Sequence, residues 1–308
     1  MKLQYPLTAL KSIKLHKFSV MLVLAVALLA LQGCASYTKW KVDAVAPSQK
    51  GVALKSIAPS PFTGESRQDG TSFARLIAGH LDAQRFVEIR QQGAEGKLIG
   101  TIDWGRTERD SWRESYEYKK KTRYRYYAKI RKSLTASYNL TANGQSYAAS
   151  YSADHSREKD SSDGYRDAKS QLPTEEQMKQ HLMNELATRI SRDLTPYRVR
   201  KTYKLKYGDT DKLELGAEYA KLGREEQAMS IFRQISERTS NDEDRAAALY
   251  NMGVIFEIRG DFDKAFEAYR NASQFHLEEL MYPEAITRLE KEMKHRAVVD
   301  QQIKALSL

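Results

Sequence analysis

The sequence predicts an α+β amino-terminal domain of order β-α-β-β-β-α followed by an all-α helical-repeat module. Three observations carry this. Apolar and polar residues alternate over 124–140 ahead of Asn143-Gly144, with a second alternating run behind that pair. Leucine, methionine and isoleucine recur every four residues over 178–194, directly after Pro173-Thr174. A set of glycine, alanine and aromatic residues over 215–232 returns 37 residues later. With 308 residues, 41% of them hydrophobic, and only 7 prolines, the chain can bury more than one core.

Residues 1–33 carry Lys2, Lys11, Lys14 and Lys17 and no acid, then an apolar run from Phe18 to Leu31 broken only by Ser19. That run fits a signal-peptide core and falls short of the roughly 20 residues that span a bilayer. The following Leu31-Gln32-Gly33-Cys34 resembles the lipobox of bacterial lipoproteins. The resemblance implies cleavage ahead of Cys34 and lipidation of that residue. Ala35 in the next position implies, by resemblance to enterobacterial sorting, an outer-membrane location facing the periplasm. Cys34 is the single cysteine, so the mature chain has no disulfide framework, thiolate nucleophile or cysteine-ligated zinc. Loss of residues 1–33 takes four of the 50 basic residues and none of the 40 acidic ones, lowering the net charge from +10 to +6. So mild an excess argues against nucleic acid as a partner.

Residues 34–50 read as a lipid tether, and 51–207 as the α/β domain. Gly51–Ile57 is a short strand, and Ala58–Gly70 is rich in turn formers. Thr71 or Ser72 caps a helix to Gln84 with Phe73, Leu76, Ile77 and Leu81 on one stripe. Phe86–Ile89 and Lys97–Trp104 are strands. Within 123–155 the even positions from Tyr124 to Leu140 are mostly apolar, which marks a long half-buried strand. A type I′ turn at Asn143-Gly144 sets Leu140 against Tyr147, Tyr138 against Ala149, Ala136 against Tyr151 and Leu134 against Ala153. Arg157–Leu172 reads as loop. Thr174 and Gln177 form a capping box for a helix that Pro196 stops, and Tyr197–Tyr207 is a last strand or connector. The strand at 51–57, Phe73-Ala74-Arg75-Leu76, Arg85-Phe86-Val87-Glu88-Ile89 and Leu98-Ile99-Gly100-Thr101-Ile102 resemble the small α/β domain shared by the amino-terminal domain of TolB, the curli-assembly lipoprotein and a lipoprotein activator of a penicillin-binding protein.

In 208–282, Leu215-Gly216, Tyr219, Gly223, Ala228 and Phe232 recur as Met252-Gly253, Phe256, Gly260, Ala265 and Tyr269. This resembles two tetratricopeptide repeats, in which small residues let paired helices approach and aromatics fill the gap. Residues 283–308 read as one capping helix. The resemblance implies a concave groove lined by Leu213, Ala217, Ala220, Tyr250, Val254 and Glu257. Its occupant would be a protein partner, with Tyr250 as the aromatic anchor and Glu257 choosing basic partners, or the chain's own helix around Ile286, Leu289 and Met293.

No nucleophile elbow, phosphate loop, dinucleotide fingerprint or His-Glu-x-x-His motif occurs, so neither catalytic residues nor a metal or cofactor are expected. The mature histidines are scattered. His181 and Glu185 stand one helical turn apart, and Asp103 ends its strand. Lys119–Lys132 holds eight lysines and arginines and no acid. Arg123, Arg125, Lys129, Arg131 and Lys132 read as guards of a solvated strand, which leaves Lys119, Lys120 and Lys121 as candidates for an anionic surface. Residues 105–132 are too charged for the lipid-facing band of a pore. The sequence therefore describes a non-enzymatic, outer-membrane lipoprotein acting as a scaffold or adaptor for a protein partner in the envelope. A regulatory subunit of envelope biogenesis, or a ligand-binding or enzymatic α/β cleft, are the alternatives.

Overall fold

The alternating run at 124–140 becomes the axis of the main sheet. The computed structural model describes residues 37–307; residues 1–33 and Cys34, with the lipidation expected there, lie outside the described residues. The fold is mixed α/β with a curled sheet and a C-terminal helical region. Contacts divide it into a sheet unit, Asp43–Arg200 with the chain from Lys291, and a helical unit, Lys201–Glu290 with the described residues up to Val42.

Strands β2 (Ser56–Pro59), β3 (Glu88–Ile89), β4 (Gly96–Trp104), β5 (Glu108–Tyr118), β6 (Lys121–Ala142) and β7 (Gln145–Ser161) form the sheet. Strand β2 lies parallel to β3 and β4, and every pairing of β6 is antiparallel. One edge of β6 holds β4 along Leu134–Ala142 and β5 along Lys121–Arg131, while β7 runs along the other from Tyr126. All four cross-strand pairs expected from the Asn143-Gly144 turn are present. Both turn residues take positive φ, 49° and 75°. Strand β7 runs on to Ser161, and helix α2 (Tyr165–Ser170) follows, where the sequence reads as loop.

Helix α1 (Arg67–Gln84) starts earlier than Thr71 or Ser72: Ser66 is its cap, accepting from the Asp69 amide at 3.2 Å. Gly70 hides this start, since glycine reads as a turn former. Here it is required by packing, because a Cβ would lie 1.8 Å from the Phe62 carbonyl oxygen. Helix α3 (Glu175–Leu194) carries the capping box of Thr174 and Gln177. Its stripe of Leu182, Met183, Leu186 and Ile190 shares one core with Phe73, Ile77 and Leu81 of α1 and Leu98, Leu134 and Leu140 of the sheet. Asp193 at the end of α3 is fully buried and accepts from the hydroxyls of Tyr138 (2.6 Å) and Tyr151 (2.7 Å). Burial, with that carboxylate beside it, pushes the Tyr151 phenol up to about 12.

The expected tether is corrected in part. Tyr37–Ala46 is strand β1, paired with β8 (Tyr197–Lys206) in a separate two-stranded sheet. The alternation of Trp40, Val42, Ala44 and Ala46 has only two large members and is broken by Val45, too weak a signal to read as a strand, yet Trp40 and Val42 pack with Tyr203 and Leu205 in the core of the helical unit.

That unit holds α4 (Asp211–Lys221), α5 (Glu225–Arg238), α6 (Asp242–Arg259), α7 (Phe262–Phe275) and the first part of α8 (Met281–Ser307). A Cβ on Gly216 would lie 2.5 Å from the Phe232 ring, and one on Gly253 would lie 2.6 Å from the Tyr269 ring. The 37-residue repetition of glycine and aromatic is thus a repetition of helix contacts. The open groove is a correction: Leu213, Ala217, Ala220, Tyr250, Val254 and Glu257 are all buried. All but Glu257 share one core with Trp40 of β1, Leu205 of β8 and Tyr282, Ala285 and Leu289 of α8. Glu257, expected to select basic partners, is taken by Arg288 of α8 at 2.8 Å and by the Tyr269 hydroxyl at 2.6 Å. Two helix pairs leave an apolar side that costs less when covered by the chain itself.

Candidate functional site

Strands β5 and β6 make a hairpin whose turn is Lys119-Lys120, with Tyr118 paired to Lys121. Both turn lysines have positive φ, 51° and 60°, the backbone of a type I′ turn. The left-handed region costs an ordinary residue roughly 1–2 kcal/mol, which is why Asn-Gly is the favoured pair. At its other end the same strand uses that pair. Two lysines therefore stand where turn chemistry favours other residues.

Strand β7 ends opposite Tyr126, so the last stretch of the hairpin is two-stranded and reaches about 20 Å further. Apart from Trp112, every side chain of β5 is exposed. Opposed residues share a face, which places Trp112, Glu114, Tyr116 and Tyr118 with Tyr127, Arg125, Arg123 and Lys121. Trp112 and Tyr127 stack at 5.2 Å. Tyr116, Tyr118 and Tyr124 are exposed, the last on the opposite face.

Along the shaft the arginines are already engaged. Arg125 pairs with Asp160 at 3.1 Å, Arg131 with Asp154 at 3.3 Å, Arg113 lies 4.8 Å over the Tyr124 ring and Arg123 lies 5.2 Å over Tyr118. At the tip, Lys119 sits over Tyr118 at 5.4 Å, and none of Lys119, Lys120 and Lys121 has an acidic partner among the described residues. The hairpin root is fixed by a charge network. Lys132, expected to be solvated, is buried, and its Nζ donates to Thr107 Oγ1 (2.9 Å) and Glu175 Oε1 (3.0 Å). Arg109 adds a contact to the same carboxylate at 3.2 Å, and hydrogen bonds from Thr107 and Lys132 hold Glu175 down to about 2. The Lys132 and Lys179 ammonium groups lie 5.6 and 5.1 Å from the centre of the Trp104 ring, whose Nε1 donates to Asp69 at 2.9 Å.

The other residues singled out in the sequence do not converge. Glu185 bonds Arg189 at 2.6 Å and not His181. The His181 ring instead lies 3.9 Å from that of His155, which burial and its neighbour push below the usual range. Asp103 is exposed on β4. A cleft of about 740 Å³ between α1 and α3 is lined mainly by polar side chains, among them Asp69, Arg75, Glu176 and Lys179. In it Asp69 is already held by Trp104 and Lys179. Among the described residues no group of three or more His, Cys, Asp or Glu side chains is placed to hold a metal ion, and no helix is long and apolar enough to cross a membrane.

Residues 214–300 match a family model described as a domain of unknown function (DUF6340). No curated protein matches the chain. Among solved structures, the PelC dodecamer from Paraburkholderia phytofirmans is similar at 15% identity, covering 51% of this chain and 99% of that one with a TM-score of 0.24. A single-residue variant of the same dodecamer gives 13%, 50%, 98% and 0.23.

Proposed function

We propose that the protein is a non-catalytic, lipid-anchored envelope protein, held at the outer membrane through Cys34 and facing the periplasm. It acts as a scaffold or adaptor through the β5–β6 hairpin, which presents Lys119, Lys120 and Lys121 to an anionic partner. The lipobox-like Leu31-Gln32-Gly33-Cys34 supports the anchor. The repeated fits of Gly216 on Phe232 and Gly253 on Tyr269 support a tetratricopeptide-like helical unit, and β2, α1 and the strands behind them support the TolB-like and curli-lipoprotein-like reading of the sheet unit.

The observation that carries the binding site is the turn. Residues kept in a costly backbone conformation at an exposed tip, against local turn chemistry, are a mark of function. The test uses the chain from residue 35 on, which keeps every described residue, applied to immobilised polyphosphate. The double variant Lys119→Asn/Lys120→Gly installs the turn pair used at the other end of β6. It is expected to elute at clearly lower salt than the parent while melting no lower. Equal elution of the two proteins refutes the site.

A further inference from the structure

We infer that the anionic partner of the hairpin is the headgroup layer of an anionic phospholipid bilayer, met end-on by the turn. This rests on the anion-binding reading of the hairpin and adds the class of the ligand.

The distribution of charge is the first argument. A linear polyanion lying along the ribbon would meet Arg125 and Arg131 already paired with Asp160 and Asp154, and Arg113 and Arg123 already seated on tyrosine rings. The longest run of cations with no acidic partner among the described residues is the three consecutive lysines at the end of the hairpin, of which Lys119 lies over the Tyr118 ring. Such a tip fits a surface perpendicular to the strands. The tyrosines give a second, independent argument. Tyr116 and Tyr118 stand on one face and Tyr124 on the other, all exposed and all within a few residues of the turn. A stacking platform for a chain of sugars or bases needs its rings on one side. Rings on both faces, spread over the last four residue levels from Tyr118 beside the turn to Tyr124 opposite Ser115, make a collar about 10 Å deep, which suits the interface where tyrosine keeps its hydroxyl in water and its ring against the less polar layer.

The same geometry limits the depth. Glu117 and Glu114 stand two and five residues before the turn, and the two-stranded ribbon leaves backbone edges unpaired, which hydrocarbon does not accept. The contact is peripheral, at headgroup level. The root network of Lys132, Glu175, Thr107 and Arg109 holds the arm so that tip and collar arrive together.

The test is co-sedimentation of the unlipidated chain from residue 35 with vesicles of phosphatidylglycerol and phosphatidylethanolamine, against vesicles of phosphatidylcholine alone. Binding is expected to the anionic vesicles, falling steeply with salt, and to be absent from the neutral ones. Each lysine near an anionic leaflet is worth roughly fivefold, so Lys119→Asn/Lys120→Gly should lower the partition coefficient by about thirtyfold. Tyr118→Ser should weaken binding and leave the salt dependence unchanged. Retention on polyphosphate without binding to anionic vesicles overturns the bilayer and leaves the anion site standing, whereas loss of both overturns both. Tighter binding of soluble alginate than of vesicles at equal charge concentration assigns the tip to a polysaccharide and overturns the proposal. So does full vesicle binding by the turn variant.

Discussion

Tyr250 decides whether the helical unit has a groove or a core. Its side chain is fully buried on α6, with the rings of Tyr269 at 5.4 Å and Tyr282 at 5.3 Å, and among the described residues no group meets its hydroxyl at hydrogen-bond geometry, the charged Arg288 guanidinium lying nearby. Burial pushes its phenol up, so it stays neutral well into the alkaline range. Truncation to alanine removes a large aromatic from a packed site and should cost about 3–5 kcal/mol, less a few tenths recovered from helix propensity. Replacement by phenylalanine keeps the ring contacts and deletes a desolvated, unpartnered hydroxyl. That variant should be as stable as the parent or up to about 1 kcal/mol more stable. Because the chain has two units, the readout has to be local: amide exchange across Ala246–Arg259, with calorimetry to assign the transition. An alanine variant with parental protection would return Tyr250 to an open groove. A phenylalanine variant less stable by more than about 1 kcal/mol would show that the hydroxyl is bonded.

Two further predictions concern packing and charge. Gly253→Ala drives a Cβ to 2.6 Å from the Tyr269 ring, and overpacking should exceed the gain in helix propensity, for a net loss of about 1–2 kcal/mol; Gly79→Ala, mid-helix in α1 with nothing within 4 Å, should gain about 1 kcal/mol, and thermal melts showing shifts of the same sign would contradict the close fit at Gly253. Glu175 has its carboxyl held down to about 2, below its ordinary value, so its contribution is present above about pH 4.5 and is lost as pH falls towards 2. The Glu175→Gln variant should show a flatter acid limb in urea midpoints taken from pH 5 to 2.5, by a modest amount because solvent screens a carboxylate this exposed; parallel limbs would mean that Glu175 does not titrate with folding.

What was legible in the sequence is what a single local rule controls. The alternation in 124–140 and the Asn143-Gly144 turn fix the β6–β7 register, since a one-residue slip would send Leu134, Ala136, Tyr138 and Leu140 to the other face. Thr174 and Gln177 mark a helix start by mutual hydrogen bonds. Where two rules compete, the reading fails. Gly70 signals a turn by propensity and a close approach to Phe62 by packing, and packing prevails. Tyr250 and Glu257 look like groove residues from their place in the repeat. The pattern holds no information about α8, whose Arg288 and Tyr282 supply the cover.

Strand β5 was illegible for a different reason. A strand exposed on both faces has no buried side to enforce alternation, and Trp112, Tyr116 and Tyr118 are all that remains of it among charged neighbours. Its turn is equally silent, because Lys119-Lys120 is not a pair that turn rules select. These two silences have one cause. A hairpin that serves a core is written in core residues and turn residues, as β6 and β7 are. On the proposed function, a hairpin that serves a surface outside the protein would carry the chemistry of that surface at its tip and keep it against a local cost of roughly 1–2 kcal/mol for each turn residue. The buried pairing of Lys132 with Glu175 shows where the support for such an arm comes from: the root, folded into the sheet unit, holds in place an end that its own backbone preferences would not choose.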